Sequence, residues 1–87
     1  MRGRRPALTL SPRAYNALVG LAIFCPVTSH VKGYPYEVAL PPRAKIAGVV
    51  LADQVRSLDW RTRDAQFAAR APDRIVEDVL AKLRTLV

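Results

Sequence analysis

Histidine and cysteine occur once each, at His30 and Cys25, so the chain cannot close an internal disulfide and has no Cys/His set of the kind that encloses structural zinc. A catalytic pair of histidines within one chain is excluded for the same reason. Acids are scarce, seven against fourteen Lys and Arg. Asp53, Asp59, Asp64, Asp73, Glu77 and Asp78 show no metal-ligand spacing, and most are better explained as helix caps or helix-end charges. No long hydrophobic run is present either, because Ala17 to Phe24 falls far short of the roughly 20 residues a spanning helix needs. Arg2, Arg4 and Arg5 ahead of that run give it the outline of a secretory leader. Pro12 and Arg13 interrupt the approach, and Phe24 is a poor neighbour for a lipidated Cys25, so the expected compartment is the cytoplasm.

What the chain does have is positive charge, +7 net over 87 residues. That balance favours a polyanion or an acidic protein partner. Most of the cations are Arg, whose planar fork pairs with phosphate and stacks on bases, which tilts the choice toward nucleic acid. The expected organisation is one domain, residues 1–87. At this size only about 60% of the unfolded surface is buried on folding, so an oligomer is expected to cover more.

Runs of Val, Leu, Ile and Ala between Pro and Gly punctuation predict short strands and no helical bundle. The candidates are Pro6 to Ser11, Leu18 to Val27, Tyr36 to Leu40, Ala47 to Ala52 and Arg61 to Ala69. Asp53 is placed to cap a short helical turn reaching Leu58. After Pro72 the pattern changes to a helix. Ile75, Val76, Val79, Leu80, Leu83 and Leu86 share one face, with acids toward the N-terminal end and Lys82 and Arg84 toward the other. Strands followed by one terminal helix give the α+β class, as a small barrel or strongly bent sheet.

Separated blocks in a fixed order carry a more specific message: Arg4-Arg5-Pro6, then Lys32-Gly33-Tyr34-Pro35-Tyr36-Glu37-Val38, then Leu51-Ala52-Asp53-Gln54-Val55-Arg56-Ser57. Through them the chain closely resembles the MazF/PemK toxins of bacterial toxin–antitoxin pairs, endoribonucleases that cut messenger RNA at specific sequences. The resemblance implies an SH3-like β-barrel with a C-terminal helix, a homodimer, and inhibition by an acidic MazE-like antitoxin. Family members typically begin with a further strand and a loop carrying acids before Arg-Pro. The chain is therefore expected to be an N-terminally short form lacking the usual first strand, which leaves a sheet edge open.

Cutting RNA without a metal requires the ribose 2′-OH to attack its own phosphate. One proton must leave that hydroxyl, another must reach the departing 5′-oxygen, and charge building on the phosphate oxygens must be stabilised. The composition leaves a phosphate-directed Arg and a hydroxyl for this work. The resemblance assigns these to Arg5 and Thr28, implying a 2′,3′-cyclic phosphate and a 5′-OH as products and no cofactor. Without it, Arg5 is one cation of a solvated arm, and Thr28 a strand-end hydroxyl bonded to nearby backbone. Ser29 and His30 follow in the same loop as substrate-contact candidates. Lys32 and Tyr34 supply a cation for phosphate and a ring on which an unstacked base can lie, whereas their bland reading is a turn with half-buried tyrosines. For Gln54, Arg56 and Arg61, at and after the last block, the resemblance implies both structural and groove-lining roles. Trp60 is assigned to core or interface, and Cys25 to a buried small hydrophobe.

Two other readings use the same residues. A non-cleaving homologue would bind antitoxin or RNA without chemistry. A toxin of the related CcdB type, which poisons DNA gyrase by protein contact, needs neither Arg5 nor Thr28, and the presence of both argues against it.

Overall fold

The computed structural model describes residues 5–87. In chain order the elements are β1 (Ala7–Thr9), α1 (Arg13–Val19), β2 (Leu21–Thr28), β3 (Glu37–Ala39), β4 (Val49–Leu51), a 3-10 turn (Ala52–Gln54), β5 (Arg56–Asp59) and α2 (Asp73–Arg84). Everything is organised about β2. One of its edges pairs antiparallel with β1, with Leu8 opposite Cys25. The other edge is shared by β4, with Val27 opposite Val50, and by β5, with Phe24 opposite Arg56. The Val27–Val50 register would set residue 53 opposite Phe24, so the ladder skips three residues, the length of the Ala52–Gln54 turn. That interruption bends the sheet. β3 pairs with the far side of β4, and the sheet as described does not close on itself.

The core forms where α2 lies against this bend. Cys25, Val50, Ala52, Ile75 and Val79 are fully enclosed, and Leu8, Leu10, Val27, Leu40 and Leu83 pack around them. Ile75, Val79 and Leu83 are the inward stripe expected from the helical spacing. Leu86, assigned to the same face, lies beyond the helix end and is half exposed. This is the α+β arrangement of antiparallel strands and a terminal helix that the pattern predicts.

Three local expectations differ from the structure. The Leu18–Val27 strand begins only at Leu21, because Arg13–Val19 is helical and Gly20 ends that helix in the left-handed region at φ 76. A continuous apolar run concealed the change of element there. The helical turn is only Ala52–Gln54, with Asp53 inside it and no side-chain cap, and it gives way to β5, whose strand character comes from pairing with β2 and not from any alternation of its own. Arg61 to Ala69 is not a strand. The Asp59 carboxylate accepts the Arg61 and Thr62 amides, Ala65 N–H returns to the Trp60 carbonyl, and Asp64 has φ 53, so the backbone donors go to turns.

Trp60 and Arg61 instead tie α1 down. The indole N–H donates to the Asn16 carbonyl at 3.0 Å, and the Arg61 guanidinium donates to the Ala17 carbonyl at 3.0 Å while lying over the indole. Trp60 is half-buried in this contact, in keeping with a packing role.

Candidate functional site

Successive residues of β2 face opposite ways, and residues opposite each other on paired strands share a face. Cys25 and Val27, with Leu8 and Val50 opposite them, point into the core. Phe24, Pro26 and Thr28 therefore belong to the other face, and Arg56, opposite Phe24, joins them. The pairing with β1 continues one step past Ala7, where Val27 N–H donates to the Pro6 carbonyl at 3.1 Å. One further step sets Arg5 opposite Thr28. Arg5 is exposed and Thr28 half-buried, so this register, carried beyond the end of β1, brings the backbone of a cationic residue toward a hydroxyl-bearing one.

Thr28 ends β2 in a local turn. Its Oγ1 accepts the His30 N–H at 3.1 Å, the backbone bond expected of a strand-end hydroxyl, and this leaves the hydroxyl proton to donate outward. The corner is fixed from the opposite side by Gly48. A Cβ built there would lie 2.1 Å from the Thr28 carbonyl oxygen and 3.1 Å from Ser29 Cα, at φ 119, so only glycine fits without displacing the Thr28 backbone. Ser29 and His30 follow, exposed.

The loop from Val31 to Tyr36 carries the remaining basic and aromatic candidates. Lys32 Nζ stands 5.7 Å from the centroid of the Tyr34 ring, and Tyr34 is 59% exposed. Gln54 is exposed on the 3-10 turn, and Arg56 is exposed at the start of β5. Arg56 faces Phe24, four residues along β2 from Thr28, or about 13 Å at strand spacing. The structure thus gathers Arg5, Thr28, Ser29 and His30 at one end of β2, hangs Lys32 and Tyr34 on the loop that follows, and sets Gln54 and Arg56 farther along. Neither of two clefts, of about 450 Å³ between β3 and α2 and about 530 Å³ among Leu10, Tyr15, Ile23 and Leu83, is lined by Arg5 or Thr28. The arrangement is an open surface suited to an extended ligand.

Among the described residues, two titratable groups are shifted. Burial, and secondarily the Asp53 charge, pushes the Cys25 thiol up to about 11, so it is neutral and unreactive in this site. The Asp59 carboxyl is held below its usual range chiefly by the Thr62 backbone N–H. Among the described residues no group of His, Cys, Asp and Glu is arranged to hold a metal ion, and no helix is long and apolar enough to cross a membrane.

Sequence reading gave Gly48 no part in the site, and it missed two side chains that secure the loop. Glu37 accepts two loop amides, and Lys82, on α2, donates to the Pro35 carbonyl. The position of Glu37, a few residues after Lys32-Gly33, was a legible cue. The reach of Lys82, 47 residues away in sequence, was not.

A bent antiparallel sheet with a C-terminal helix packed on it defines a small α+β protein. The chain belongs to the PemK-like, MazF-like toxins of type II toxin–antitoxin systems, whose family model matches residues 1–87. It is 40% identical over 85 residues to the endoribonuclease toxin MazF of Escherichia coli strain K12, covering 98% of this chain and 76% of that one. It is 32% identical over 90 residues to the endoribonuclease PemK of Escherichia coli, covering 99% of this chain and 68% of that protein. Among solved structures it resembles MazF in a MazE–MazF crystal structure from Deinococcus radiodurans, at 57% identity and a TM-score of 0.94 over 97% of this chain and 82% of that one.

Proposed function

We propose that this protein is an endoribonuclease toxin that cleaves single-stranded messenger RNA at a specific short sequence, without a metal ion, and is neutralised by an acidic MazE-like antitoxin. The observation that supports the reading is the β1–β2 register, which, continued two residues past Ala7, brings Arg5 toward Thr28. The relatives named as endoribonucleases, and the neighbour crystallised with MazE, support the reaction class and the partner.

In this mechanism the bond from O2′ to phosphorus forms as the bond from phosphorus to O5′ breaks, leaving a 2′,3′-cyclic phosphate and a 5′-OH. Arg5 pairs with the non-bridging oxygens of the scissile phosphate and stabilises the charge that builds on them. Thr28 donates its free hydroxyl proton to the same phosphate or to the attacking oxygen. It is no strong base, so the 2′-OH proton leaves to a neighbouring group or water, and the departing O5′ takes its proton from water to become the 5′-OH. Ser29 and His30 line the substrate beside this pair, Lys32 holds a flanking phosphate, and Tyr34 offers its ring to an unstacked base. Gln54 and Arg56 extend the contact along β2. The antitoxin's acids would cover the same cations. Its messenger RNA target sets the toxin to work in the cytoplasm. A homodimer is part of the proposal, supported by the apolar patch of Leu18, Val19 and Leu21, which are 85%, 47% and 38% exposed where α1 meets β2.

The test is incubation with a long unstructured RNA in EDTA, beside Arg5→Ala and Thr28→Ala, with sequencing of new 5′-hydroxyl ends. Cuts at one recurring sequence that both variants lose support the reading. A folded protein that makes no cuts leaves antitoxin or RNA binding without cleavage as its function.

A further inference from the structure

The stretch from Lys32 to Pro35 has no strand ladder, yet its backbone is held from both sides. Glu37 Oε2 accepts the Lys32 N–H at 3.0 Å, and Oε1 accepts the Gly33 N–H at 2.9 Å. From α2, the Lys82 ammonium donates to the Pro35 carbonyl at 2.6 Å. The Tyr36 hydroxyl and Thr85 Oγ1, 3.1 Å apart, make a further bond to the same helix end. Gly33 supplies the one left-handed residue, at φ 81, with open space where a Cβ would stand.

We propose that Glu37 and Lys82 are positioning residues that hold the Lys32–Pro35 turn in its RNA-binding conformation, a role that rests on the ribonuclease reading above. A carboxylate beside a polyanion site opposes binding by its charge alone. Here both of its oxygens are taken by loop amides, and the charge serves to fix the backbone that presents Lys32 and the Tyr34 ring together. The Lys82 ammonium is likewise directed to a backbone carbonyl of the turn, that of Pro35. An ordered turn spares RNA the entropy of ordering it on binding. The two roles therefore predict opposite signs. As a bystander charge, Glu37 weakens RNA binding and its removal tightens it. As the clamp of the turn, its removal weakens binding.

The experiment measures KM and kcat on a long unstructured RNA for the parent, Glu37→Ala, Glu37→Gln and Lys82→Met, with amide hydrogen exchange at Lys32 and Gly33. Glu37→Ala is expected to raise KM about tenfold, with kcat within about twofold, and to speed exchange at both amides. Glu37→Gln, which keeps one acceptor oxygen, falls between. Lys82→Met raises KM about threefold without changing the salt dependence, because the assigned role of its ammonium is to hold the Pro35 carbonyl and not a phosphate. A lower or unchanged KM in Glu37→Ala, unaltered Gly33 exchange, or a flattened salt dependence in Lys82→Met overturns the proposal. A parent chain that neither cuts nor binds RNA overturns the ribonuclease reading, and this proposal with it, before any variant is made.

Discussion

The two faces of β2 do different work with the same backbone. The inner face places Cys25 and Val27 against Val50, Ile75 and Val79, where nothing polar is buried. The other face carries half-buried Thr28 and exposed Arg56, with exposed Arg5 just ahead of β1, beside buried Ala22 and Val49. Because side chains alternate along a strand, moving one residue along β2 passes from packing to proposed chemistry. Substitutions on the inner face should therefore act through folding, and those at exposed Arg5 and Arg56 through activity at unchanged stability.

The strongest challenge to that division is Ile75→Ala. Ile75 is fully enclosed, and truncating such a side chain costs about 2–5 kcal/mol, a large part of the stability of a domain this small. Denaturant unfolding should show the loss, and cleavage should fall only in proportion to the unfolded fraction. Lower activity in the fully folded variant would mean that the two faces are coupled through the sheet. Arg5→Ala is the converse. Cleavage should drop at least about 100-fold, the scale for removing one donor to a developing oxyanion, while stability changes by less than about 0.5 kcal/mol because Arg5 is exposed. A clear fall in melting temperature would move Arg5 into the structural class.

Gly48→Ala falls between them. The new methyl would meet the Thr28 carbonyl carbon and oxygen at 2.8 and 2.1 Å, so either β4 or the Thr28–Ser29 corner must move. Stability should fall by about 1–3 kcal/mol, the scale of one strained backbone position, and the folded fraction should still cleave more slowly because Thr28 is displaced. Normal turnover by the folded fraction would show that the corner tolerates the shift and that the position of Thr28 is not critical.

The parts of the fold that could be read from the chain are those that carry their own period or punctuation. α2 was legible from Ile75, Val79 and Leu83 at helical spacing after Pro72, and β3 from the Pro41-Pro42 stop. α1 was hidden because Ala17 to Phe24 is apolar throughout, and Gly20 alone marks the change from helix to strand. β5 was hidden because its strand state is imposed by β2. The blocks that define the family were plain in sequence, including Lys32 and Tyr34. How the turn between those residues is held was not, since Lys82 reaches it only after the chain has passed through β4, β5 and most of α2.

The smallest expected effect tests the inner face through its one titratable group. Cys25 is enclosed, and its thiol is raised from 9.0 to about 11, so the folded state keeps a proton that the unfolded chain releases within that window. Stability depends on pH through the difference in protons bound, and here the folded state binds more. The Cys25 contribution is therefore fully present below pH 9 and declines as pH rises toward 11. Other groups also titrate there, so the informative quantity is the stability gap between the parent and Cys25→Ala. That gap should narrow from pH 9 to 11, and a thiol reagent at neutral pH should label Cys25 only after denaturation. A constant gap together with rapid labelling of the folded protein would mean that β2 opens readily at Cys25. The inner face would then share the solvent access that distinguishes the outer one, and the division of labour across the strand would be a difference of degree.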